Sequence, residues 1–323
     1  MVDSTQLAES KSIHRETGKT FYYATRLLPE RVRHPTYVLY AFFRVADEVV
    51  DNPEGSSPTE RHERLLEIRE AALGREPTDE PVLAAFSELR ERHGIPDEEV
   101  ETFIDAMRTD IEKSRYETYD ELEAYMRGSA AAVGVMMTII MKTGDDDSAL
   151  PKARRLGEAF QLTNFLRDVG EDIADRDRIY LPRETLDAYG ADPADIRNRR
   201  FTEEIGTAIE HEMRRAEGLY REGVSGIKYL PMDCQLPVLT AAVLYADHHR
   251  LIRDREYDTV TATPSIGTLR KLTLVAKTPL YWAWNKDPEA VFAKVSEIPT
   301  VEEGPAPRTP PGSRPGRPAA PST

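Results

Sequence analysis

Apolar residues recur three and four positions apart through nearly every segment before residue 298, the spacing of one face of an α-helix. Val38, Leu39, Phe42, Phe43, Ala46, Val49 and Val50 form one such stripe. Leu65, Ile68 and Ala72, then Val82, Phe86 and Leu89, predict two shorter helices separated by Gly74 and Pro77. Val100, Phe103, Ile104, Met107 and Ile111 predict another, opened by Pro96-Asp97. Two long patterns follow, Leu122 to Met141 and Ala153 to about Ile173. Beyond Pro182 the helical spacing resumes over about 202–227, 235–254, 266–282 and 287–296. Strand-like alternation is not evident, so the pattern predicts an all-α domain over 16–297 behind a short N-terminal segment, 1–15. From 298 to 323 the chain turns to proline, glycine, threonine and arginine with almost no large apolar residues. A tail of that composition cannot bury enough surface to offset its ordering entropy.

Composition narrows the function classes. Lys plus Arg number 43 and Asp plus Glu 57, a formal charge of −14. That balance argues against a nucleic-acid partner, which asks for a basic face. Abundant acid with little lysine fits a protein adapted to high salt. A single cysteine, Cys234, excludes an intrachain disulfide and a cysteine-based zinc site. The first residues lack the basic and apolar blocks of a secretory signal. The most apolar run, Ala130 to Met141, is well short of the ~20 residues of a membrane span. The expectation is a cytoplasmic chain, with peripheral membrane contact left open.

The chemistry sits in two short motifs, one in each half. The first is Arg44-Val45-Ala46-Asp47-Glu48-Val49-Val50-Asp51; the second runs from Asn164 through Arg167-Asp168 to Asp172. In each, two aspartates stand four apart, one helical turn from each other on one face. Like charges at that spacing cost a helix roughly 0.2–0.5 kcal/mol. Both pairs also lie within apolar stripes, where a carboxylate needs a counter-charge or takes up a proton. A hard divalent cation supplies that charge through oxygen ligands; magnesium takes one or two carboxylates and fills its shell with phosphate oxygens and water. Two such pairs facing each other across a bundle could clamp a diphosphate.

These residues and their surroundings resemble the squalene and phytoene synthase family. Lys19-Thr20-Phe21-Tyr22 with Leu27-Leu28-Pro29, the stretch Tyr37 to Asp51, the stretch Met107 to Gly134 and, above all, Gln161 to Pro182 carry the resemblance. It implies the all-α isoprenoid synthase fold around a central cavity. It also implies head-to-head condensation of two prenyl diphosphates through a cyclopropyl diphosphate. The wording is nearest the family's phytoene branch, with geranylgeranyl diphosphate as substrate and no NADPH. Carried over by position, Asp47, Asp51, Asp168 and Asp172 would hold magnesium, or manganese in its place. Lys19, Arg44, Arg167 and Arg178 would meet diphosphate oxygens, Gln161 and Asn164 would line the reacting end, and Tyr125 and Tyr245 would face the reactive centre.

Two departures stand out. Glu48 replaces a common aspartate, and Thr261-Ala262-Thr263 occupies a stretch where many members carry a diphosphate-binding arginine; Arg270 and Lys271 follow and are candidates to compensate. The adjacent His248 and His249 point to different helix faces, a poor zinc pair. Cys234 has no cue for a reactive thiolate. The small residues between Gly128 and Gly134, Ala131 among them, are expected to leave room for a polyprenyl chain. The competing readings are a squalene or dehydrosqualene synthase acting on farnesyl diphosphate, and a non-catalytic relative acting in assembly.

Overall fold

The computed structural model describes residues 25–51, 55–142 and 147–299; Lys19 and the segment beyond Pro299 lie outside them. Among the described residues the chain is helical throughout, and the only β-type contact is an isolated parallel bridge between Arg115 and Ile179. The helices are α1 (Glu30–Asp51), α2 (Pro58–Ala72), α3 (Pro81–His93), α4 (Asp97–Glu112), α5 (Tyr119–Met126) and α6 (Ala132–Met141). Then come α7 (Leu150–Arg167), α8 (Val169–Arg176), α9 (Arg183–Tyr189), α10 (Pro193–Arg197), α11 (Glu203–Val224), α12 (Met232–Asp254), α13 (Thr268–Trp284) and α14 (Pro288–Val295). Their starts follow local chemistry. Ser57 and Glu60 form a reciprocal capping box on α2, and Gly94 closes α3 in the left-handed conformation, φ 65°.

Helix α7 is the hub, packing on α6, α11 and α12, with α1 and α4 closing the other side through α6. Phe42, Phe86 and Phe103 fill the α1–α3–α4 layer, Phe42 and Phe86 stacked 3.9 Å apart. Ile298 is also buried, so the packed body reaches past the expected boundary at 297.

Two helices expected to be continuous are interrupted, each where a neighbouring segment packs closely. The 122–141 pattern contains a π-helical turn, Arg127–Ala131, between α5 and α6. A Cβ on Gly128 would stand 2.4 Å from the Thr102 carbonyl, so α4 approaches there too closely for any side chain. The 153–173 pattern breaks at Asp168 (φ −102°, ψ 17°), between α7 and α8. Beyond the break the Gly170 N–H donates to the Thr259 carbonyl at 3.0 Å. The loop after α12 thereby crosses the second motif.

The α9 and α10 helices were not legible as periodic pattern, being only 7 and 5 residues long. Tyr119–Met141, taken through the π turn, is a helix of 23 residues long and apolar enough to cross a membrane, longer than the apolar run alone suggests. It packs on α4 and α7 with 61% of its most apolar window buried, as a core helix does.

Candidate active site

Helix α1 carries Arg44, Asp47 and Asp51 at spacings of three and four, so they follow one face. Arg44 Nη1 lies 3.3 Å from Asp47 Oδ2. Across the bundle, α8 presents Asp172 and, one turn on, Arg176. The Arg176 guanidinium joins the two motifs: Nε is 3.4 Å from Asp51 Oδ1 and Nη1 3.3 Å from Asp172 Oδ1. The break before α8 leaves Asp168 beside Arg167, which forks onto it with Nε donating to Oδ1 at 2.6 Å.

A fifth carboxylate belongs to this cluster. Asp110, at the end of α4, accepts a hydrogen bond from the Tyr125 hydroxyl at 2.6 Å and lies 3.6 Å from Arg178 Nη1. Arg178 Nη2 also donates to the Asp110 carbonyl at 2.6 Å.

Electrostatics set this cluster apart. Burial, reinforced by Asp51 and Asp110 and opposed by Arg44, pushes Asp47 up to about 7. Its side chain keeps 34% of its surface, and it lines the cavity described below. Asp172, with 10% accessible, is likewise pushed up to about 7 by burial and by Asp168, against Arg176. Asp110 rises to about 6, burial outweighing Arg178. Carboxylates that take protons near neutrality lack counter-charge, and the arginines present do not fully supply it. Hard oxygen donors in that condition suit a divalent cation. No group of three metal-competent side chains converges among the described residues. Asp47 with Asp51 on α1, and Asp168 with Asp172 across the bundle, offer the one or two carboxylates that magnesium takes from a protein, the rest of its shell being phosphate and water.

Beside the cluster lies a cavity of about 560 Å³. Its polar lining includes Asp47, Gln161, Asn164 and Arg167, and its walls are largely apolar, with Phe43, Phe103, Val133, Met137 and Val238 among them. Tyr245 lines it too, stacked on Phe160 at 4.6 Å.

Five of the residues singled out in the sequence therefore meet at the cavity: Asp47, Gln161, Asn164, Arg167 and Tyr245. Arg44, Asp51, Asp168 and Asp172 gather in the adjoining carboxylate cluster. Tyr125 and Arg178 do not line the cavity. Tyr125 is wired to Asp110 and set in an aromatic stack with Tyr116, Phe165 and Tyr180. Arg178 is held by Asp110. Arg270 does not compensate for the absent arginine near Ala262: it is committed to Asp247 at 2.6 Å and Glu297 at 3.1 Å. Glu48 is exposed, away from the cluster.

The small residues play two parts. Ser129, Ala130 and Gly134 line the cavity. Yet a Cβ on Gly134 would stand 2.5 Å from the Ala153 carbonyl, so Gly134 is also what lets α6 approach α7. Ala131 is buried and faces elsewhere.

Sequence reasoning missed Asp110, Arg176 and Tyr180, and weighed His248 only as half of a poor zinc pair. Arg176 was within reach as the residue four beyond Asp172. His248 lines the cavity and donates Nδ1–H to the Tyr245 carbonyl at 3.0 Å; burial and the nearby Arg167 push it down to about 4, leaving a neutral imidazole. Cys234 is buried and pushed up to about 11 by that burial, consistent with an inert thiol.

The profile of the squalene/phytoene synthase family matches residues 14–275. The chain belongs to the squalene/phytoene synthase family. Among the chains it is similar to is a phytoene synthase of Rhodobacter capsulatus, 33% identical over 87% of this chain and 83% of the relative. Another, of Arthrospira platensis, is 34% identical over 84% and 90%. Among solved structures, a dehydrosqualene synthase bound to a ligand superposes with a TM-score of 0.76 at 27% identity, covering 87% of this chain and 98% of that one. A squalene synthase from Alicyclobacillus acidocaldarius gives 0.70 at 26% identity, over 78% and 95%. The fold is thus the all-α isoprenoid synthase fold, and the enzyme a prenyltransferase.

Proposed function

We propose that the chain is a phytoene synthase that condenses two geranylgeranyl diphosphates head to head, through a cyclopropyl diphosphate, without NADPH. The observation that carries this reading is the junction of a carboxylate–arginine cluster with an apolar cavity, at Asp47, Asn164 and Arg167. A charged head and a long hydrocarbon tail need those two environments side by side. The branch is drawn from the relatives named phytoene synthase, which match over more than four fifths of this chain.

Asp47 and Asp51 from α1, with Asp168 and Asp172 at the α7–α8 break, would hold magnesium, which when bound neutralises charge developing on a departing diphosphate. Arg44 and Arg167 orient the diphosphate oxygens. Arg167 forks on the Asp168 carboxylate, and the same fork fits two phosphate oxygens. Asn164 and Gln161 offer amide donors and acceptors where the head meets the tail. The Tyr245 ring, held by Phe160, presents an electron-rich face to passing allylic cations. The apolar walls exclude water that would quench those cations.

The solved structures named for squalene and dehydrosqualene synthases favour a second reading, the same chemistry on the shorter farnesyl chains. A non-catalytic role is disfavoured because the aspartates are kept poorly neutralised in a partly buried cluster, a costly arrangement without a ligand. Asp47→Asn and Asp172→Asn test the assignment. Each should abolish hydrocarbon formation from geranylgeranyl diphosphate while leaving the helical circular dichroism unchanged. Full turnover by both variants would remove the cluster from the reaction.

A further inference from the structure

Helix α12 carries two adjacent buried histidines in different surroundings. His249 is bonded at both ring nitrogens: Nε2 lies 2.9 Å from the Thr163 hydroxyl and Nδ1 3.3 Å from Glu217 Oε1. That is a histidine satisfied within the core. His248, turned about 100° from it around the helix, lines the cavity together with Gln161, Asn164, Arg167 and Tyr245. Its hydrogen bond runs from Nδ1 to the Tyr245 carbonyl, 3.0 Å away. A carbonyl only accepts, so Nδ1 carries the hydrogen and the neutral ring keeps its basic lone pair on Nε2. Because Nδ1 is tied back to its own helix, Nε2 is directed away from it, and it has no partner among the described residues.

The reaction proposed above needs such a group. Joining two geranylgeranyl diphosphates expels both diphosphates, and without NADPH no hydride arrives to discharge the final forty-carbon cation. That cation becomes a hydrocarbon only by giving up a proton; capture of water would make an alcohol instead. The other polar groups lining the cavity are hydroxyls, the Gln161 and Asn164 amides, the Arg167 cation and Asp47, assigned above to magnesium. Neutral amides and hydroxyls are far weaker bases than imidazole. Burial and the nearby Arg167 push His248 down to about 4, which keeps the ring free of a proton at neutral pH. A base that weak suffices, because a carbocation surrenders an adjacent C–H proton to almost any lone pair.

We propose that Nε2 of His248 is the base that takes the last proton from the forty-carbon cation, an assignment that rests on the phytoene synthase reading. The C–H bond beside the cationic carbon breaks, its electron pair becomes the central C=C bond of the triene, and the proton moves to Nε2. The Tyr245 carbonyl, already bonded to Nδ1–H, stabilises the imidazolium as it forms. The Arg167 charge nearby then favours return of the proton to departing diphosphate or to water as product leaves.

The test is His248→Asn in the full chain, since an asparagine amide nitrogen can keep the bond to the Tyr245 carbonyl while the Nε2 lone pair is lost. Diphosphate release and hydrocarbon are measured together, from geranylgeranyl diphosphate with magnesium and without NADPH. The wild type comes first: if it makes no forty-carbon triene, the phytoene synthase reading fails and this assignment with it. Where the wild type does make it, His248→Asn should release diphosphate at close to the wild-type rate. The fraction of that release recovered as triene should fall at least about tenfold, at the low end for loss of an acid–base group, with forty-carbon alcohols or isomeric alkenes in its place. His248→Gln should behave the same way, and it carries the test if circular dichroism shows His248→Asn unfolded. An unchanged yield of triene per diphosphate in a folded variant would overturn the proposal and leave the departing diphosphate as the base. So would a fall of diphosphate release and triene in equal proportion, the mark of a histidine that only holds the cavity wall in place.

Discussion

Gly170 lies in the first turn of α8, where helix propensity alone favours alanine by up to about 1 kcal/mol. The structure predicts the opposite sign. A Cβ there would stand 2.2 Å from the Val260 carbonyl oxygen and 2.9 Å from its carbon, both backbone atoms that cannot rotate away. Relief requires the loop after α12 to retreat by roughly 1 Å, an overpacking cost of about 1–3 kcal/mol. The retreat also breaks the Gly170 N–H bond to the Thr259 carbonyl, in a loop where Thr259 and Val260 are fully buried, for about another 1–3 kcal/mol if the groups stay dry. Net of about 1 kcal/mol of propensity, Gly170→Ala should destabilise by on the order of 1–5 kcal/mol, measured by urea unfolding. Turnover should fall as well, because Asp168 and Asp172 flank the displaced residue. Gly218 in α11 is the control: nothing lies within 4 Å of its would-be Cβ. Gly218→Ala should therefore stabilise by about 0.4–1 kcal/mol. Equal stability of Gly170→Ala and wild type would refute the claim that the loop clamps the second motif.

Two further predictions concern the cluster. Asp47 and Asp172 are raised to about 7 in the folded chain, far above the ~3.9 of an unfolded aspartate. The folded state then holds more protons across that interval, so their contribution to stability is present below about pH 4 and lost as pH rises through 7. In thermal melts magnesium should raise the midpoint more above pH 7 than near pH 5, and an equal shift at both would contradict the assignment. The two tyrosines should separate as well. Tyr125→Phe takes a donor from buried Asp110, whose Oδ1 has no hydrogen-bond partner among the described residues, and should cost about 1–3 kcal/mol of stability. Tyr245→Ala should slow turnover about tenfold, the rate equivalent of a cation–ring contact of roughly 1–2 kcal/mol. Steady-state kinetics beside urea melts would expose the reverse pattern if Tyr125 met the substrate.

Much of this was legible in the sequence because helical spacing and carboxylate spacing are local signals. The α1 motif was read in full: Arg44, Asp47 and Asp51 lie on an uninterrupted helix, where spacing fixes the face. The second motif was read in its residues but not its backbone, because the break at Asp168 sits beside a contact of Gly170 with Thr259 and Val260, some ninety residues on. The same limit hid Asp110, which looks like one acid among many until α4 packs beside Tyr125 and Arg178. Spacing likewise did not show that Tyr125 and Arg178 meet at Asp110 beside the cavity, a contact made only by packing. Gly134 was read as spare room; its close approach to Ala153 exists only once α6 and α7 are packed.

The most direct measurement offers the purified protein equal amounts of geranylgeranyl and farnesyl diphosphate, with magnesium and without NADPH, and identifies the hydrocarbon by mass and absorbance. The account predicts a forty-carbon product with the absorbance of a conjugated triene, unchanged in yield when NADPH is added. A thirty-carbon product, or a yield that depends on NADPH, would contradict it.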